Sequence, residues 1–268
     1  MMRIPCVVWL AVALFAGPLS AQWLRYPTAG VPHTRDGKPN LTAPAPRAAN
    51  GKPDLSGIWE LEAPPCPPEG CGDYPPAPEF GDMGVRLPGG LPYQPWAADL
   101  VKQRAATLGQ DDPVALCRPA GALRLLTFPP PRKIIQTPAE IVILSERDVT
   151  FRQIFTDGRP LPDDPEPSWN GYSTGKWDGD TLVVQTNGLR DGTWIDRRGS
   201  PLTSAAKITE RFRRVNFGLL EIEVTVDDPK AYIRPWTVKL NQRIVLDTEL
   251  LDYYCQDNEK DDAHMVRH

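Results

Sequence analysis

Residues 170–196 read NGYSTGKWDGDTLVVQTNGLRDGTWID, and residues 205–241 read AAKITERFRRVNFGLLEIEVTVDDPKAYIRPWTVKLN. In both stretches, short polar segments with glycine or proline separate runs in which apolar and polar residues alternate. This arrangement is typical of antiparallel strands joined by tight turns. We therefore expect a mainly β fold, in which an antiparallel meander curls into a barrel or half-barrel and two short helices are added.

Proline and glycine divide the rest of the chain, because only three of the 31 prolines follow Ser168. Residues 1–21 combine Arg3 with an apolar run and end in small residues, which predicts a secretory signal peptide. Residues 22–53 are rich in Pro, Ala, Gly and Asn and predict an extended arm. Residues 54–268 are then expected to form a single barrel-like domain.

Two segments have the apolar spacing of helices. Residues 96–108 repeat apolar side chains at helical intervals, and Pro95 before them suits a first helical turn. Residues 248–260 would place Leu250, Leu251 and Tyr254 against the body of the protein, with their acidic and basic side chains in solvent.

The cysteines indicate an oxidising compartment. Cys6 lies in the signal peptide, and an even set of four in an exported chain favours two disulfides. Of the three possible pairings we favour Cys66 with Cys71, which flank a tight loop, and Cys117 with Cys255. A thiolate metal site is the alternative, but these spacings lack the close Cys-x2-Cys pairs of such sites, so we expect no metal.

Composition excludes several partners and reactions. The formal net charge of −4 disfavours nucleic acid and anionic membranes as partners. The apolar run is short for a bilayer span, so we expect a periplasmic or secreted protein without a stable membrane span after signal cleavage. The three histidines, His33, His264 and His268, lie near the termini. That position disfavours a histidine-based catalytic triad or zinc site within the body, and no nucleotide-binding motif is present.

Side chains alternate across a strand, so each predicted strand has an inner face. Residues 219–227 put Leu220, Ile222, Val224 and Val226 on one face and polar residues on the other. Residues 206–214 instead place Glu210 on the apolar face, and residues 231–241 place Arg234 there. A buried charge needs a partner, so we expect these two side chains to pair, either as a structural ion pair or as the polar groups of a pocket.

Residues 148–155 place Gln153 on the same face as Val149, Phe151 and Phe155. A barrel with polar groups among aromatic walls would bind an apolar or aromatic small molecule without a cofactor. The ligand-binding residues that we expect are Phe151, Gln153, Tyr172, Trp177, Glu210, Phe212, Arg234 and Trp236.

Two other functions are compatible with the same residues. A cofactor-free isomerase, cyclase or hydrolase could use Glu210 as its catalytic acid or base, because an apolar wall favours the protonated carboxyl group. A carbohydrate-binding surface protein could instead stack exposed tryptophans on sugar rings.

The chain also resembles two families. Its pattern DLSGIW at 54–59, FTDGRPLP at 155–162, GYS at 171–173, WDGDTLVV at 177–184 and TERF at 209–212 resembles a family of exported, largely uncharacterised proteins of soil bacteria. That resemblance implies export. Members often have a histidine after the position matching Pro201, where this chain has Leu202. Separately, Gly57-Ile58-Trp59 is similar to the opening motif of lipocalins, which implies a lipocalin-like barrel around an apolar ligand.

Overall fold

The structure is a computed structural model that describes residues 26–64, 77–147 and 149–255. It confirms a mainly β fold with a closed barrel. The described residues contain the strands β1 (Gly57–Leu61), β2 (Arg132–Gln136), β3 (Glu140–Ser145), β4 (Phe151–Phe155), β5 (Tyr172–Asp178), β6 (Thr181–Asn187), β7 (Thr193–Trp194), β8 (Pro201–Leu202), β9 (Lys207–Arg214), β10 (Leu219–Asp227) and β11 (Trp236–Ile244).

Nine strands form the barrel, in the order β1-β11-β10-β9-β6-β5-β4-β3-β2, and β7 pairs separately with β8. Apart from that inserted pair, neighbouring strands follow one another along the chain. A closed ring of nine strands cannot be antiparallel throughout, since alternating directions require an even number. The parallel junction lies between β4 and β5, and the other barrel neighbours pair antiparallel, from β1 with β11 to β6 with β9.

The alternation of side chains determines what fills the barrel. In β10, Leu220, Ile222, Val224 and Val226 are at most 1% exposed and belong to the main core cluster, as the sequence predicts. The outward residues Glu221 and Glu223 face the basic side chains of β9 and β11. Burying four aliphatic side chains of this kind contributes about 1.5–3 kcal/mol each.

A segment between the helices and β2 fills one end of the barrel. Residues 120–128, which we call the plug, are buried throughout. The inward-facing Arg132 donates to the carbonyl oxygens of Leu125 at 3.0 Å and Phe128 at 3.3 Å, while Gln242 donates to that of Leu126 at 3.2 Å. These bonds satisfy carbonyl groups of the plug that would otherwise be buried without partners.

The N-terminal arm covers turns at the other end. Arg47 donates to both carboxylate oxygens of Asp180 in the β5–β6 turn, at 2.8 and 2.7 Å. The carbonyl oxygens of Leu41 and Ala43 accept hydrogen bonds from the backbone of the β9–β10 turn at Gly218 and Phe217. The arm predicted at residues 22–53 is therefore docked on the barrel wherever the structure describes it.

The helices differ in part from the sequence prediction. Helix α1 spans Pro78–Gly81 and α2 spans Pro95–Ala106, followed by a 3-10 turn at Arg124–Leu126. The expected helix at 96–108 thus exists, with Ala97 and Val101 buried. The expected C-terminal helix is wrong for residues 248–255, which contain no helix. The backbone N–H of Leu251 donates to the Glu146 carboxylate, and a disulfide fastens Cys255; residues 256–260 lie outside the described part.

One predicted disulfide is present. Cys117 and Cys255 are bonded, with their Cα atoms 5.4 Å apart and a sequence separation of 138 residues. The bond fastens the C-terminal segment to the loop that precedes the plug. Cys66, Cys71 and residues 1–21, for which the sequence predicts a signal peptide, lie outside the described residues.

Candidate functional site

The parallel junction between β4 and β5 has the fewest paired residues of the junctions in the barrel. A single pair of residues, Phe155 and Thr174, is in register there, whereas β5 and β6 share seven such pairs. Beside this pair the strands are bridged by a side chain, because Asn170 Nδ2 donates to the carbonyl oxygen of Phe151 at 2.8 Å. We call this sparsely paired junction the seam.

Arg152 replaces the missing ladder with side-chain bonds. From β4 it donates to Ser173 of β5 at 3.1 Å and to Thr186 of β6 at 2.9 Å. It also donates to both carboxylate oxygens of Glu210 on β9, at 2.9 and 2.5 Å. Arg152 and Glu210 are 1% and 0% exposed. One guanidinium group thus ties β4 to three strands on the far side of the seam.

A cleft lies over the seam. Its volume is about 500 Å³, and it is lined by Pro119, residues 149–153, Phe155 and residues 168–173. The β3–β4 turn, β4 and the start of β5 supply most of this surface. The loop from residue 156 to 171, which connects the parallel strands, supplies Trp169 and Asn170. We call this the seam cleft.

Four aromatic side chains form its walls: Phe151, Phe155, Trp169 and Tyr172. Phe151 is 58% exposed, although a side chain of this size is usually buried. The rings of Phe155 and Tyr172 lie 5.2 Å apart, tilted by 33°. The cleft therefore offers flat apolar surfaces of the kind that pack against ring systems.

Two arginines stack on these walls. Arg159 lies 4.0 Å from the centre of the Phe155 ring and donates to the Tyr172 hydroxyl at 3.3 Å. The guanidinium group of Arg159 also donates to the Asp157 carboxylate. This hydrogen bond raises the pKa of Arg159 and lowers the pKa of Asp157. Arg190 lies 4.5 Å from the centre of the Trp169 ring.

The predicted inner face of β4 is wrong. Phe151 and Gln153 point outward, whereas Arg152 and Ile154 are buried, at 1% and 0% exposure. The reason is electrostatic. Glu210 lies inside the barrel and needs a cationic partner, and Arg152, between Phe151 and Gln153, supplies it by pointing inward. Phe151 and Gln153 nevertheless lie together with Tyr172, on the outer side of the wall in the seam cleft.

The predicted partner of Glu210 is also wrong. Arg234 is exposed and precedes β11, which begins at Trp236. Pro235 has no N–H group for the ladder, so the strand starts after it and Arg234 is not held on the inner face. Arg152 takes the place that the sequence assigns to Arg234.

Two other predicted ligand-binding residues are buried in the core. Phe212 and Trp236 are 1% and 3% exposed and belong to the core cluster that also contains Leu125 and Leu126 of the plug. Trp177 is half-buried and packs against the same cluster. Phe212 and Trp236 therefore pack in the core of the described structure.

The sequence does not single out Phe155, Trp169, Asn170 or Arg152 as ligand-binding residues. Trp169 and Asn170 precede β5 in a proline-rich connection, and only the parallel direction of that junction brings them beside β4. A possible signal is the connection itself, since 156–171 is much longer than the turns of the neighbouring hairpins.

A second buried cluster lies at the β7–β8 sheet. Ser200 donates to Asp196 at 2.7 Å and lies 2.7 Å from the Tyr93 hydroxyl. Burial raises the pKa of Asp196, which is 0% exposed and also accepts a bond from the backbone of Met83. Asp196 and Ser200 have no exposed surface, so this cluster fastens the α1 segment to the sheet. Among the described residues, no cluster of histidine, cysteine or acidic side chains could hold a metal ion.

No protein-family model matches the chain, and no curated protein is significantly similar to it. Within the described part of the chain, no helix has the length and apolar character needed to cross a membrane.

Proposed function

We propose that this protein binds an apolar or aromatic small molecule in the seam cleft. The observation that carries the proposal is the aromatic wall around a cleft of about 500 Å³, with Phe151 58% exposed inside it. Ligand sites in proteins commonly occupy about 300–1,000 Å³ and combine apolar walls with a few polar groups. A flat ligand would remove the exposed Phe151 ring from water, which favours binding.

Polar groups at the cleft would orient such a ligand. Gln153, Ser168 and Asn170 line the cleft and carry an amide or hydroxyl group. Gln153 Nε2 donates to Glu140 at 3.3 Å, so its amide oxygen is held in position. Amide and hydroxyl groups can donate or accept hydrogen bonds and so can fix the orientation of a bound molecule.

The alternative of an enzyme that uses Glu210 receives no support from the geometry. Both carboxylate oxygens accept bonds from Arg152, and the side chain has no exposed surface. A general acid or base must reach its substrate within hydrogen-bond distance. Binding without catalysis is therefore the function that these contacts favour.

Titration with N-phenyl-1-naphthylamine, a neutral aromatic compound whose fluorescence rises in apolar surroundings, tests the proposal. We expect saturable binding to the purified protein that weakens about tenfold or more in Phe151→Ala and in Trp169→Ala, because each removes an aromatic wall. Ile233→Ala is the matched control, since Ile233 is 64% exposed but lines no part of the cleft. Absence of saturable binding, or equal losses in the control, would overturn the proposal.

A further inference from the structure

Two arginines, which do not line the seam cleft themselves, stack on rings of its wall residues and differ in the hydrogen-bond partners of their guanidinium groups. Arg159 stacks on Phe155 at 4.0 Å, and Arg190 stacks on Trp169 at 4.5 Å. Stacking occupies the face of a guanidinium group and leaves its N–H donors at the edge free for other partners. The partners at the edge therefore decide what each arginine can still bind.

Arg159 uses its edge to hold a carboxylate. Its Nε donates to Asp157 at 3.0 and 2.9 Å, and its Nη2 donates to the same carboxylate at 2.6 Å. A further donor reaches the Tyr172 hydroxyl. Arg159 thus shows that an arginine stacked on a ring of the cleft wall can bind a planar carboxylate through its edge.

Arg190 has no such partner among the described residues. Its backbone N–H donates to Ser168 and its carbonyl oxygen accepts from Thr193, but its exposed guanidinium group makes no hydrogen bond or ion pair there. The acidic side chains of the connecting loop, Asp163, Asp164 and Glu166, are exposed and form no ion pair with it. The donors at its edge are therefore available to a ligand that lies against Trp169.

We propose that the ligand of the seam cleft carries a carboxylate group, and that Arg190 binds this group while the aromatic walls hold the rest of the molecule. The inference rests on the proposed function, because it requires a ligand in the cleft. It makes Arg190 a specificity-determining residue. The ligand class is then an aromatic carboxylate, in which one end is flat and apolar and the other is anionic.

Two compounds of almost the same shape separate charge from size. 2-Naphthoate carries the carboxylate, and 2-naphthamide replaces it with a neutral amide. Calorimetric titration of the full protein with each compound gives two dissociation constants. We expect 2-naphthoate to bind about tenfold more tightly at low ionic strength, since a charge-assisted bidentate contact adds to the stacking. The preference should shrink as salt is added.

Arg190→Gln should remove this preference and leave the affinity for 2-naphthamide unchanged within about twofold, because the stacking surface of Trp169 remains. Arg197→Gln is the matched control, since Arg197 also stacks on a ring, that of Phe80 at 5.7 Å, but Phe80, unlike Trp169, lines no part of the cleft. It should keep the wild-type preference.

Equal affinities in the wild type, or a preference that survives Arg190→Gln, would overturn the inference and leave the proposed function standing. Binding of neither compound would overturn both.

Discussion

Arg152 of β4 and Glu210 of β9 form a bidentate ion pair inside the barrel, with Nη1–Oε1 at 2.9 Å and Nη2–Oε2 at 2.5 Å. The two residues are 58 positions apart and lie on strands that are not neighbours in the barrel. The pair therefore spans the seam where the backbone ladder of β4 and β5 has one residue pair. It fixes the floor of the seam cleft and accounts for the outward direction of Phe151.

Removing one charge of this pair should destabilise the protein strongly. Glu210→Gln leaves the buried Arg152 without its anion, which typically costs about 3–5 kcal/mol. We expect a loss of that size in the free energy of unfolding, measured by urea titration. Replacing both residues, as Arg152→Met with Glu210→Leu, should cost less than the two single changes added together, since no unpaired charge remains.

The control for that experiment lies on the same strand. Arg211 points outward and pairs with Asp178 at 3.2 Å, with both side chains well exposed. Arg211→Gln should change the free energy of unfolding by less than about 1 kcal/mol. A loss in Glu210→Gln no larger than in this control would show that the buried pair does not hold the seam.

The arm should depend on close contact with the β9–β10 turn. An added Cβ at Gly218 would lie 2.7 Å from Leu41 Cβ and 3.0 Å from its carbonyl oxygen. Gly218→Ala should therefore destabilise the protein by about 1–3 kcal/mol, the usual cost of overpacking, as measured by denaturant titration. Gly81→Ala is the control, because its Cβ would meet nothing within 4 Å. Equal stability of the two variants would contradict a docked arm.

The disulfide should stabilise the side of the barrel that carries the cleft. Pro119, two residues after Cys117, lines the cleft. Changing Cys117 and Cys255 together to serine should lower the free energy of unfolding by about 2–4 kcal/mol, since it frees a long loop in the unfolded chain. Thermal unfolding under oxidising conditions measures this loss. An unchanged midpoint would show that the bond adds no stability to this region.

Tyr93 should make stability fall at high pH. Burial raises the pKa of Tyr93 to about 12, against about 10 for an unfolded chain. Between these values the folded state keeps a proton that the unfolded state releases, so the free energy of unfolding decreases as pH rises from about 10. The free energy of unfolding of Tyr93→Phe, measured by urea titration, should decrease less steeply with pH over this range. Equal slopes for the two proteins would contradict the effect.

Local patterns in the sequence predict much of the fold. The alternation in β10 correctly assigns its inner face, and the helical spacing after Pro95 correctly indicates α2. The pairing of Cys117 with Cys255 is correctly favoured, because the short loop between Cys66 and Cys71 assigns those two cysteines to each other. Each of these three predictions rests on residues that are close in the sequence or on composition, and both can be read from a single sequence.

The face of β4 could not be assigned in this way. Its five residues, FRQIF, place two phenylalanines on one face and Arg152 with Ile154 on the other. Hydrophobicity alone favours turning the phenylalanines inward. The opposite arrangement follows from Glu210, whose partner is decided by the closed barrel rather than by β4 itself.

The seam cleft also depends on the closure of the barrel. A parallel junction is required only because nine strands form one ring, and its position between β4 and β5 brings Trp169 beside Phe151. Similarly, the plug is a loop in the sequence, and it becomes buried because the barrel surrounds it. Both features belong to the assembled fold, so periodicity within single segments does not reveal them.

The most direct test of the account is to find where an apolar ligand is bound. Photolabelling the intact protein with a neutral naphthyl diazirine, followed by peptide mass spectrometry, identifies the contact residues. We expect labels in residues 149–155 and 168–173, reduced by an excess of N-phenyl-1-naphthylamine. Competable labels in the plug at residues 120–128, or on the inward-facing Phe212 and Trp236, would place the ligand inside the barrel and contradict the account.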